Sequence, residues 1–235
     1  MRKNVCIFGL ILFMISVIPL LLMVREVVTS WTIDLRYTIE QAYTEQGFPT
    51  TINVQEIDIN GRLIEIVEEP TGKKASLTSW DSDEGVEAGD IVKIHLLVDG
   101  QDVTQADEIW LSNREKGGSY FSWLDILTVN DKIAIVQRLT DDDAAMDDRR
   151  WKIIWIDEKG KITEDEISYQ ERGDNPLAVQ LIKVSGTSLV AMGYYSDILM
   201  GYPSIFFPVL YPVGTGLVGI ALCSMAFRRR KKHLK

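Results

Sequence analysis

Every Asp and Glu in the chain lies between Glu26 and Asp197, and on either side of that block the sequence is apolar. Residues 5–24 and 198–227 are unbroken uncharged runs, each long enough to cross the roughly 30 Å hydrocarbon core of a bilayer. Arg2 and Lys3 precede the first run; Arg228, Arg229, Arg230, Lys231, Lys232 and Lys235 follow the second. Those eight leave 17 of the 25 basic residues for positions 25–197, against all 34 acids, a net of −17 there. Basic flanks stay on the cytoplasmic side, so the pattern predicts a two-pass protein of the cell membrane with both termini cytoplasmic and residues 25–197 extracytoplasmic.

The first run is expected to be an uncleaved anchor, because its 20 residues exceed the roughly 7–15 of a signal-peptide core and no Ala-x-Ala pattern follows. Pro19 is expected to bend it. In the second run, Thr215, Gly219 and Cys223 recur at four-residue spacing, a small-residue stripe suited to close helix packing, most simply against the first span. The segment Tyr211-Pro212-Val213-Gly214-Thr215-Gly216, with its apolar stretch and basic tail, resembles the sortase signal of wall-anchored Gram-positive surface proteins. It departs from Leu-Pro-x-Thr-Gly by Tyr for Leu and by an extra Gly, and that resemblance would imply cleavage after Thr215.

A strong negative charge disfavours nucleic acid, which would repel it. The only cysteines, Cys6 and Cys223, fall inside the apolar runs, so no disulfide holds the outer domain. The fold class expected is α+β, mainly β: an antiparallel meander or sandwich with a stalk helix, flanked by two transmembrane helices. Residues 1–4 and 228–235 are the cytoplasmic ends, 25–50 the stalk and 51–197 the β domain. Val28, Trp31, Leu35, Ile39 and Ala42 recur at helical steps, giving a stalk from about Ser30 to Gln46. The apolar stripe of that stalk calls for burial against the β domain or a second copy.

From Thr51 the pattern turns to short β-branched runs. Asn60-Gly61 and Asp99-Gly100 are expected to form type I′ hairpin turns, since both positions of that turn need positive φ. Further strands are expected over residues 91–98, 124–129, 133–139, 151–156, 179–184 and 189–194. Residues 127–136 and 182–191 share a strand-turn-strand outline, a hint of repetition outweighed by generic hairpins.

No chemistry stands out. His95 is the only histidine before the C-terminal tail, and without a Cys or second His in the outer domain a zinc site of the usual type is not expected; no metal or cofactor is. Asp141, Asp142, Asp143, Asp147 and Asp148 form an acidic cluster that does not fit the calcium loop spacing. Trp80, Trp110 and Trp123 are binding candidates as parts of an aromatic strip for carbohydrate or peptide, against core packing. The expected function is a non-catalytic sensor, binding or scaffold module, partnered by lipid and by another membrane protein or a second copy. The alternatives are a surface hydrolase using carboxylates and the wall-sorted protein.

Overall fold

The computed structural model describes residues 2–42, 56–75, 88–103, 107–111, 122–140, 144–187, 192–197 and 209–231. The protein is α+β with two antiparallel sheets and an apolar N-terminal helix. It divides into two units, Ile33–Val190 and a second made of Met1–Thr32 with Ala191–Lys235.

Helix α1 (Arg2–Arg36) is 35 residues long, about 52 Å at 1.5 Å per residue. Within it, Asn4–Arg36 is long and apolar enough to cross a bilayer. Many of its large apolar side chains are exposed, from Ile7 and Phe8 to Leu21 and Val24. The helix stops at Arg36 and Ile39–Gln41 forms strand β1, so the stalk expected to reach Gln46 is corrected from residue 37 to 42. Pairing won over the helical spacing: Thr38 donates its N–H to Asn130 Oδ1 and accepts from the Asn130 N–H on its carbonyl, 2.9 Å each. Residues 43–50 lie outside the described residues.

One sheet runs β1-β7-β8-β9-β10, with β7 Leu124–Val129, β8 Lys132–Arg138, β9 Arg150–Ile156 and β10 Ile162–Ser168. The other runs β2-β3-β4-β5, with β2 Glu56–Ile59, β3 Arg62–Lys74, β4 Asp90–Val98 and β5 Gln101–Asp102; β6 (Asp107–Leu111) also pairs with β4. The Asn60-Gly61 turn between β2 and β3 has φ of 53° and 74°, and the Asp99-Gly100 turn 52° and 76°, the type I′ signature both dipeptides favour. Along β4, Val92, Ile94, Leu96 and Val98 are buried while Lys93, His95 and Leu97 are not, the period-2 pattern of a sheet with one wet face.

These β4 residues join Ile64, Ile66 and Ile109 from their own sheet and Leu124, Ile126, Ile133, Ile135, Ile154 and Ile156 from the other in one core. The second face of the β7-β8-β9 sheet is buried as well, through Leu127, Ala134, Val136, Trp151 and Ile153. Its cover is not the stalk but helix α2 (Pro176–Val184), which buries Ala178, Val179, Leu181 and Ile182. Asn175 caps α2 by accepting the Ala178 N–H at 3.1 Å, with Pro176 in the first turn. A strand over residues 179–184 and the second copy of the hairpin repeat are thereby overturned. Met192–Tyr194 is not strand either, and residues 189–191 lie outside the described residues.

In the other unit, helix α3 (Tyr211–Lys231) packs antiparallel to α1. A Cβ on Gly219 would lie 2.6 Å from the Gly9 carbonyl oxygen and 2.8 Å from the Phe13 nitrogen, so only hydrogen fits. One turn on either side, Gly216 faces Ser16 and Cys223 Sγ lies 3.6 Å from the Cys6 carbonyl oxygen. Farther along α1, Glu26 is buried and its carboxylate accepts the backbone N–H groups of Tyr194, Tyr195 and Ser196, each at 2.8 Å. The Arg25 guanidinium stacks 3.4 Å from the Tyr195 ring centroid. Gly193 closes this loop, since a Cβ there would fall 1.7 Å from the Ser196 carbonyl oxygen.

Candidate functional site

Nine helical residues span about 14 Å, whereas the seven of β9 span about 23 Å, so α2 cannot cover the whole sheet face. Its C-terminal end is fixed at one edge: Gly186 donates its N–H to the buried Asp125 carboxylate at 3.0 Å, and Trp151 Nε1–H reaches the Thr187 carbonyl at 3.5 Å. Gln41 donates to the same carboxylate at 2.9 Å. The opposite end of the face, beyond Leu177 in the first turn of α2, is left open as a cleft of about 550 Å³. That volume lies within the roughly 300–1,000 Å³ of small-molecule sites.

Strand register supplies the floor. Trp155 on β9 stands between Ala134 on β8 and Thr163 on β10, and beside the small alanine the indole stays partly exposed. Trp155 Nε1–H donates to Asp165 Oδ2 at 3.2 Å, which fixes the ring plane. Tyr37, from the turn after α1, adds a second aromatic wall. Asp157 accepts the N–H groups of Lys159 and Lys161 at 2.9 and 2.8 Å and so holds the β9-β10 turn rigid at the rim. Lys132 and Lys161 line the cleft, and among the described residues neither forms an ion pair; Asp131, Asp157 and Glu158 supply carboxylates around them.

The chain matches no protein-family model, no curated protein and no solved structure. The geometry of its own residues therefore carries the functional reading.

The described binding candidates named from sequence, Trp123, Asp147 and Asp148, do not line this cleft. Trp123 is 2% exposed, with the Arg138 guanidinium 3.9 Å over its ring, and so packs in the core. Trp110 contributes backbone to β6, and its side chain, like Trp80, Asp141, Asp142 and Asp143, lies outside the described residues. Asp147 and Asp148 are exposed on a 3-10 turn, and among the described residues no group of three His, Cys, Asp or Glu is placed to hold a metal. Thr215 turns its hydroxyl back to the Tyr211 carbonyl at 2.8 Å, so the segment resembling a sorting signal is the opening of a helix. Gly219 and Cys223 face α1.

His95 lies on the wet face of its sheet, Nδ1 3.0 Å from Asp102 on β5 and Nε2 3.2 Å from Glu69 on β3. Hydrogen bonding to Asp102, then to Glu69, raises its pKa above the ordinary 6.5. A raised folded pKa stabilises the fold in full below the unfolded value near 6.5, and that stabilisation fades as pH rises through the folded value. The urea midpoint of His95→Gln is expected to fall below that of the wild type at about pH 5.5 and to converge with it at about pH 8.5. A gap that is constant across that range contradicts the assignment.

Proposed function

We propose that the chain is a two-pass membrane protein whose β unit is an extracytoplasmic, non-catalytic binding or sensing module. Residues 5–24 and 198–227 are the spans, both termini are cytoplasmic, and residues 25–197 lie outside. The observation that carries this reading is the antiparallel fit of α1 and α3 through Gly9 and Gly219: a helix this closely apposed to a span enters the bilayer with it. The basic residues at 228–232 and the absence of acids beyond Asp197 favour the same orientation. The cleft beside Trp155 supports a binding role, since it combines aromatic walls with polar side chains of both charges.

The test is labelling of intact cells with a membrane-impermeant thiol reagent, in a Cys6→Ser, Cys223→Ser background. Lys159→Cys, on an exposed hairpin turn, is expected to react from outside, and Lys235→Cys only after permeabilisation. The reverse pattern overturns the topology.

A further inference from the structure

We propose that the cleft between the first turn of α2 and the β9-β10 turn binds a neutral saccharide; this rests on the reading of the β unit as a binding module. The floor is a fixed aromatic plane: Trp155 is partly exposed and its indole N–H is tied to Asp165, so the ring needs no ordering when a ligand arrives. A flat, weakly polar C–H face is the chemistry that such a ring accepts, and Tyr37 supplies a second.

Around that plane the polar groups are mixed in kind. Lys132 and Lys161 donate, Asp131, Asp157 and Glu158 accept, and Asn130 and Thr163 do both. An anionic ligand would approach a domain of net charge −17, with three carboxylates at the rim. A cation, though drawn by the charge of the domain, would meet Lys132 and Lys161 at the cleft itself. A ligand of uncharged hydroxyls avoids both repulsions, because each hydroxyl donates and accepts at once and so pairs with either kind of side chain. The volume, about 550 Å³, holds two or three sugar rings rather than an open chain of many.

The experiment is calorimetric titration of the full chain in mild detergent with three probes: an N-acetylglucosamine tetramer, a glucuronate-containing tetrasaccharide and oligolysine. The neutral tetramer is expected to bind more tightly than the charged probes. Trp155→Ala should weaken it on the order of tenfold or more, and Trp155→Phe much less. Thr163→Trp, which fills the cleft from an exposed strand position without removing any core contact, should abolish binding while leaving the thermal midpoint in place. Failure of the neutral tetramer to bind, or its binding unchanged in Thr163→Trp, overturns the saccharide proposal. Binding of a charged probe alone that is lost in Thr163→Trp overturns the saccharide assignment and leaves the binding-module reading standing.

Discussion

Replacing Glu26 with leucine is expected to destabilise the helical unit by about 3–5 kcal/mol, because three backbone N–H donors lose a charged acceptor at once. Two features give this contact its weight. The carboxylate is only 5% exposed, so water does not replace it, and all three hydrogen bonds are short, at 2.8 Å. The donors are consecutive, Tyr194, Tyr195 and Ser196, so that one side chain fixes the conformation of a whole loop. The same loop has no room to rearrange on its own at Gly193, where even a methyl group would collide with the Ser196 carbonyl. Glu26→Gln keeps a single carbonyl oxygen and turns its amide N–H groups toward other donors, and should fall between wild type and Glu26→Leu. Unfolding in mild detergent measures the series; a Glu26→Leu variant within about 1 kcal/mol of the wild type would show that the three bonds are replaced by others.

Much of the β unit was legible because its signals are local. The hairpin dipeptides Asn60-Gly61 and Asp99-Gly100 carry their own backbone preference, and the alternation along residues 91–98 separates His95 from Val92, Ile94 and Leu96 without any tertiary information. Residues 176–184 were harder: Val179, Ile182 and Val184 suggest a strand, while the helix is fixed by Asn175 and Pro176, a start signal that lies just before the β-branched run. The spacing of Ile39 and Ala42 continues that of a helix, yet a three-residue strand can satisfy the same spacing when a partner such as β7 is available.

The cleft was not legible. Lys132, Trp155 and Thr163 become neighbours only through the register of β8, β9 and β10, and the opening above them exists only because α2 is shorter than the strands it covers. Trp151, four residues before Trp155 and on the same face, is buried, and nothing in the local sequence distinguishes the two. Glu26 did carry a signal: an acid at the edge of an apolar run demands a partner. Its partners are backbone N–H groups roughly 170 residues away, which no side-chain pattern reveals.

The antiparallel pairing of α1 and α3 also sets the second large effect, an all-or-none covalent one. Cys6 and Cys223 are the only cysteines, 217 positions apart, and Cys223 Sγ sits 3.6 Å from the Cys6 carbonyl oxygen with both thiols free. A disulfide needs the two Cα atoms about 4.4–6.8 Å apart, and the register that Gly9 and Gly219 impose sets Cys6 beside Cys223. At that crossing backbone atoms leave no space for a side chain, so sliding by one residue would bring a larger side chain into the gap.

Oxidation of native membranes with copper phenanthroline, followed by limited proteolysis at the exposed Lys159 turn, tests this pairing directly. The two halves of the cut chain are expected to migrate as one band until a reductant is added. Halves that separate without reductant, or a disulfide found only between two copies of the chain, would contradict it.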